Sequence, residues 1–464
     1  MSATPATRRT FDRSLVEGPL GPAVWRLAWP TMLQNVVAGL QGIIDHTMVG
    51  HMVGFTGNAA IGVSWQMMLV VIVFISSLFT GMAVLVARFA GSNEPEKVNR
   101  VVYQSFLTAA GLAVIMAVVG YVAAPALLRL VNAAPEVQQE ALPFLRTMFL
   151  GGIGLMTFFM LCGAFRAAGD SRTPLKLGVG LTVLTVAFNV ILIPIFGTVG
   201  AAYGTVASNL TVSAYGVWKL FSPNSVIHLH RGMDLKPDFT VIRSLFRFGL
   251  PTGVQGIAMN VGGVLMLRFI GSLEHSAAAQ AAFAVGYTEL FSLITWTAQG
   301  LLGASSTIAG QNLGAGKPDR AEAGVWMAAR IGLVAAAAVG AMFVFVPGLL
   351  LDIFAMQDPF AASIGVELLS YLAVSGFFVT LALSYTGGLQ GTGDTKSPLY
   401  ISLVSQFLLP IGLCSIIQSM RPLVPGDIWL AIVLGHVTRG VLSMLRFRQG
   451  RWRGISVDIE TARP

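Results

Sequence analysis

"LCGAFRAAGDSRTPL" (161–175) and "YTGGLQGTGDTKSPL" (385–399) decide the fold when one is set over the other. Gly163, Gly169, Asp170, Pro174 and Leu175 meet Gly387, Gly393, Asp394, Pro398 and Leu399 at an offset of 224. Between them Ser171, Arg172 and Thr173 meet Thr395, Lys396 and Ser397. "WPTMLQ" (29–34) meets "LPTGVQ" (250–255) at an offset of 221, which pairs Pro30 with Pro251, Gln34 with Gln255 and, further on, Gly50 with Gly271. Val63, Trp65 and Gly81 meet Val285, Tyr287 and Gly303 at 222. Offsets that drift by so little mark the chain as two copies of one unit. The paired GD loops have a structural reading: Gly turns the chain out of one helix, Asp caps the next, and Pro starts it.

What each copy contains follows from composition. Of 464 residues 55% are hydrophobic and 11% charged, and mean hydropathy is +0.73. Soluble domains average about 25% charged residues, so this is a multi-span membrane protein. A span takes about 20 mostly apolar residues. Twelve such runs occur, near 23–50, 58–87, 101–131, 143–168, 174–196, 198–221, 249–271, 279–309, 324–352, 365–390, 398–418 and 426–447. The expected fold is all-α and integral to the membrane: residues 1–22 a cytoplasmic tail, 23–221 one six-helix lobe, 222–247 a cytoplasmic linker, 248–447 a second lobe, and 448–464 a basic tail. Six spans per copy make the repeat parallel, about an axis along the membrane normal.

Lys and Arg sort by side. Arg88, Lys97, Arg100, Arg166, Arg172, Lys176, Lys219, Arg231, Lys236, Arg243, Arg247, Lys317, Arg320 and Lys396 fall in alternate loops, while "HMVGFTGN" and "FGTVG" have none. The positive-inside rule then puts both termini in the cytoplasm. The formal charge of +8 is explained by these span ends, so nucleic acid is not an expected partner. The polar start, with Arg8, Arg9 and Arg13, has no signal-peptide core and is expected to remain uncleaved. "RFRQGRWRG" (446–454) reads as a surface anchor with Trp452 among the headgroups. Cys162 and Cys414 read as apolar filler. GxxxxGK[ST] does not occur, so an ion gradient rather than a built-in ATPase is the expected energy source. The many glycines suit close helix packing in lipid.

Against that background Asp45, in "QGIIDHTMVG" (41–50), stands out as the one acid of its span. A charged residue at mid-membrane costs about 2.5–3.5 kcal/mol on insertion scales. A carboxyl that is dry in one state and wet in another takes up and releases a proton, and the difference is a coupling free energy. The competing reading is a helix–helix hydrogen bond or a solvated end. Glu289 is the only other acid well inside a span, a candidate cation or substrate contact or else half of an internal pair. His46 is a sequence neighbour of Asp45 but points about 100° away on a helix. Pro30 and Pro251 bend their helices, as fixed bends or, for Pro30, as a hinge. Gln34, Gln255 and Asn260 are polar groups for packing or for a cavity.

The chain resembles the multidrug and toxic compound extrusion (MATE) family. "GPAVWRLAWPTML" leading into "DHTMVGHMVG", "GTVGAAYGTVASN", "FRAAGDSRTP" with its second-half partner, and "AGQNLGAGKPDRA" carry the resemblance, across about residues 19–447. It implies two six-helix lobes and export of amphipathic, often cationic, compounds against entering protons or sodium, with no cofactor beyond H+ or Na+. It places the family's coupling groups on Asp45, Asn189 and Thr205. Ile193 stands where several relatives have an Asp, one turn after Asn189, which speaks for protons over sodium. The absent second-lobe acids lean toward the DinF-like branch. The resemblance thus implies a monomeric antiporter of a bacterial inner membrane, not an enzyme. The alternative is a lipid-linked oligosaccharide flippase of the same superfamily, which the scarcity of Lys and Arg inside spans disfavours.

Overall fold

In lipid the backbone must satisfy its own hydrogen bonds, so long apolar runs close into helices. The computed structural model describes residues 11–130, 134–223, 225–230, 236–354, 356 and 358–459, and no strand occurs among them. Arg8, Arg9 and Arg231 lie outside the described residues. The first repeat comprises α1 (Ser14–Glu17), α2 (Leu20–Met52), α3 (Phe55–Gly91), α4 (Pro95–Leu130), α5 (Pro135–Leu150), α6 (Gly152–Ala167), α7 (Arg172–Phe196) and α8 (Thr198–Leu220). The second comprises α9 (Phe239–Gly271), α10 (Ser276–Phe283), a π-helical turn Ala284–Leu290, α11 (Ser292–Gly314), α12 (Pro318–Phe345) and α13 (Pro347–Ile353). It continues through α14 (Pro359–Thr392), α15 (Lys396–Ser402), a π-helical turn Leu403–Leu408, α16 (Leu409–Met420) and α17 (Pro425–Arg448).

These helices fall on the twelve expected runs. Eight described helical stretches are long and apolar enough to cross a membrane, and the pair α5–α6 makes nine if counted as one span bent by 51°. The bend sits at Gly151, whose ψ of 0 leaves the helix. The other three expected spans, α2, α3 and α8, are 33, 37 and 23 residues long. Pro30 lies inside α2 and Pro251 inside α9.

The chain divides into two compact units. One is built on Val37–Leu250, the other on Leu15–Val36 with Pro251–Ser456. These boundaries differ from the expected lobes, because each unit also takes in the opening stretch of the other repeat's first helix. In the first unit the start of α9 lies so close to α3 that a Cβ on Gly249 would fall 1.8 Å from the Ser77 carbonyl oxygen. In the second, Val24, Leu27 and Ala28 of α2 share a core with Leu301, Ala304 and Ile308 of α11. The expected linker is also shorter than its assigned 222–247, since α9 already begins at Phe239.

The GD loops are caps in both repeats. Gly169 and Gly393 hold φ of +96° and +97°, the left-handed turn that glycine adopts without strain. Asp170 Oδ1 accepts from the backbone N–H of Arg172 (3.1 Å) and Thr173 (3.0 Å). Asp394 Oδ1 accepts from the N–H of Ser397 at 3.2 Å. A cation from the last helix of each repeat closes the loop. Lys219 Nζ donates to Thr173 Oγ1 (2.7 Å); Arg446 donates to Ser397 Oγ (2.8 Å) and pairs with Asp394 (2.9 Å).

Both chain ends need correction or addition. Trp452 is not at a surface: it is fully buried, stacks on Phe447 at 4.8 Å and donates its indole N–H to the Phe447 carbonyl at 2.7 Å. Arg453 pairs with Asp319 and Glu322 of α12 at 2.8 and 2.7 Å, so the basic segment folds back on its own unit. At the other end α1 is held by "AGQNLGAGKPDRA", where Asn312 Nδ2 donates to the Leu15 carbonyl (3.2 Å) and Lys317 Nζ to that of Val16 (3.2 Å).

Candidate functional site

Two helices of the first unit bring polar groups together inside an apolar bundle. On α2, Gln41 and Asp45 are one turn apart and share a face. On α7, Thr182, Thr185 and Asn189 follow at spacings of three and four and form a matching stripe. Thr182 Oγ1 donates to Gln41 Oε1 at 3.0 Å, and Gln41 Nε2 lies 3.4 Å from Thr185 Oγ1. Asn189 Nδ2 donates to Asp45 Oδ1 at 3.1 Å. Asp45 is half-buried, while Thr185 and Asn189 are fully enclosed.

The position of Asn189 depends on α8. A Cβ on Gly204 would fall 2.1 Å from Asn189 Oδ1, so only glycine leaves room for the amide. That same Oδ1 is enclosed and has no hydrogen-bond partner among the described residues. The amide therefore spends a donor on Asp45 and keeps an acceptor in reserve. A buried acceptor without a partner costs about 1–3 kcal/mol. Ile193, one turn further on α7, is buried and apolar, so the cluster holds a single carboxylate.

The structure joins Asp45 and Asn189 as expected and adds Gln41, Thr182 and Thr185, which the sequence reading passed over. Their signal was present: Gln41 is one turn before Asp45, and Thr182 and Thr185 are two turns and one turn before Asn189. Thr205 follows Gly204 on α8, half-buried. Its hydroxyl makes no hydrogen bond among the described residues; its carbonyl accepts from Asn209 Nδ2 at 2.9 Å.

The remaining candidates belong to the second unit. Gln34 is buried. Gln255 Nε2 donates to Ser402 Oγ at 2.8 Å, and its Oε1 is enclosed and unsatisfied. Asn260 is exposed and turns its amide back to the Gly256 carbonyl at 2.9 Å. Glu289 sits half-buried in the π-turn between α10 and α11, with no side-chain partner among the described residues. Such turns are rare and favour functional sites. The acid is thus placed on irregular backbone, a feature that hydropathy does not reveal.

The MatE family model matches residues 30–191 and again 251–416, once in each repeat. The probable multidrug resistance protein NorM of Thermotoga maritima is 24% identical over 437 residues, covering 92% of this chain and 92% of its own. The multidrug resistance protein MdtK of Pectobacterium atrosepticum is 26% identical over 440 residues, 91% of this chain and 94% of its own. An outward-facing structure of a multidrug resistance MATE family transporter of the MOP superfamily superposes with a TM-score of 0.89 at 20% identity, over 96% of this chain and all of its own. The fold is that of an all-α, multi-pass membrane protein with the twelve-helix, two-lobe architecture of those transporters.

Proposed function

The chain belongs to the MatE family, and from that membership we propose a secondary active antiporter that exports small amphipathic, often cationic, compounds against entering protons. The observation that carries the reading is the 3.1 Å hydrogen bond between Asn189 and Asp45. A lone carboxylate held by neutral donors changes charge by one unit when it takes a proton. A hydrogen bond donated to the ionised carboxylate weakens on protonation, so the packing of α2 against α7 responds to the proton. Pro30, upstream on α2, removes one backbone hydrogen bond and offers a hinge for that response. Thr205 completes the coupling set if its hydroxyl turns toward the carboxylate in another state.

Protons are favoured over sodium because Na+ needs several oxygen ligands and Ile193 supplies none. The absence of the second-lobe acids is the ground for reading the chain as leaning toward the DinF-like branch. Gln34, Gln255, Asn260 and Glu289 are assigned to a substrate cavity or, in the second lobe, to cation contact. The protein is read as a monomer of a bacterial inner membrane with both termini cytoplasmic, on the distribution of Lys and Arg.

Purified protein in liposomes loaded with a fluorescent cationic dye tests the coupling ion. A pH gradient at equal sodium is expected to drive dye movement, and a sodium gradient at equal pH to leave it near the passive rate. The reverse pattern would overturn the proton assignment; movement under neither gradient would overturn antiport itself.

A further inference from the structure

The second unit contains a buried cation that cation export does not use. Arg439 is the fifteenth residue of the 24-residue α17, about 13 Å along the helix from its C-terminal end and about 21 Å from its start. It is 5% exposed. Among the described residues it makes no hydrogen bond or ion pair, and its Nε is enclosed and unsatisfied. Ionisable groups at such depth mark functional sites unless they are paired.

Candidate counter-charges in the unit are engaged or distant. Asp394 is held by Arg446, Asp427 by Arg421, and Asp319 and Glu322 by Arg453. Glu367 lies against Gly426, about 20 Å along α17 from Arg439. The Tyr287 ring faces α17, stacking over His436 at 6.3 Å. Glu289, two residues on in the same π-turn, makes no ion pair with Arg439 among the described residues.

The polar groups facing Arg439 are neutral: the Tyr287 hydroxyl and, one turn on along α17, the Ser443 hydroxyl. Trp429 Nε1, Gln406 Nε2 and His436 Nδ1 are all buried without partners. An indole N–H, an amide NH2 and a guanidinium only donate. Gln406 comes from the π-turn before α16, and a Cβ on Gly435 would lie 3.3 Å from its Nε2. Glycine at 435 thus lets this amide approach α17 next to His436. Aromatic rings pack beside these groups: Phe283 stacks on Tyr287 at 4.8 Å and on Trp429 at 6.0 Å, and Phe291 stacks on His436 at 5.9 Å.

We propose that Arg439, with His436 and Gln406 beside it, is an anion-recognition site inside the second unit, and that the aromatic wall selects the carboxylate of an aromatic amphiphile to fill it. A guanidinium fork matches a carboxylate in two hydrogen bonds, and the low dielectric strengthens both. The inference goes beyond export of cations in assigning a residue in the second unit that would hold the carboxylate of a zwitterion or an aromatic acid. Its test reads binding without transport, so its failure leaves the antiport reading standing.

The full-length protein in detergent, in sodium sulfate buffer, is titrated with benzoate, benzamide or chloride while its unfolding midpoint is followed. Benzoate is expected to raise the midpoint saturably and benzamide, its neutral isostere, to leave it unchanged. In Arg439→Gln the benzoate affinity is expected to fall by about tenfold or more. Chloride that raises the midpoint as strongly and competes with benzoate would support the anion site and overturn its selection of a carboxylate. An equal response to benzamide, no response to either anion, or a benzoate response unchanged in Arg439→Gln would overturn the proposal. If Arg439→Gln does not fold, the comparison of benzoate with benzamide on the native protein decides it.

Discussion

Asp45 was legible as a residue because a carboxylate is conspicuous in an apolar run, whereas Asn189 came only from the resemblance to the MATE family. Their partners were not, because Gln41, Thr182 and Thr185 gain meaning only once α2 and α7 are known to face each other. Gly204 was hidden for a different reason: one glycine among 52 carries no mark of what its missing Cβ would strike. Gly204→Ala is therefore an informative substitution. The added methyl collides with Asn189 Oδ1 and pushes the amide off Asp45. Coupled dye efflux is expected to fall several-fold, with folding and membrane insertion retained. A Gly204→Ala protein that couples normally would show that the contact is incidental. Asn189→Ala removes the same hydrogen bond without the collision and is expected to shift the pH dependence of efflux as well as its rate.

Helices were legible from hydropathy to within a few residues at most ends. What escaped was departure from regular helix: the bend at Gly151 and the two π-turns. A π-turn inserts extra backbone without altering the apolar character of the run, so no window of residue types reports it. The caps were legible, since Gly and Asp have specific roles at helix ends. Asp394→Ala is expected to lower stability by about 2 kcal/mol, through a lost cap and an orphaned Arg446. Asp170→Ala is expected to cost less, about 1 kcal/mol, because Asp170 has no salt bridge among the described residues. Unfolding midpoints in detergent check the order, and equal losses would remove Arg446 from the account. Pro30→Ala restores a backbone donor within α2. Efflux is expected to slow several-fold while the midpoint holds or rises; an unchanged rate would make the bend a packing feature only.

For the molecule as a whole, the repeat was legible because two diverged copies retain the same turn chemistry at nearly constant offset. The membership of the compact units was not, because it depends on which helix the start of α2 or of α9 packs against. Trp452 makes the same point, since its burial against Phe447 follows from the chain folding back rather than from the amphipathic character of indole. The proposed function rests, at this scale, on one carboxylate converting a proton gradient into movement of a compound. The direct measurement is proteoliposome efflux of a cationic dye under an imposed pH gradient, for the native protein and Asp45→Asn side by side, with circular dichroism to confirm equal helix content. The native protein is expected to move dye with the gradient, and Asp45→Asn to drop to the rate of empty liposomes. A folded Asp45→Asn protein that still follows the pH gradient at the native rate would contradict the account.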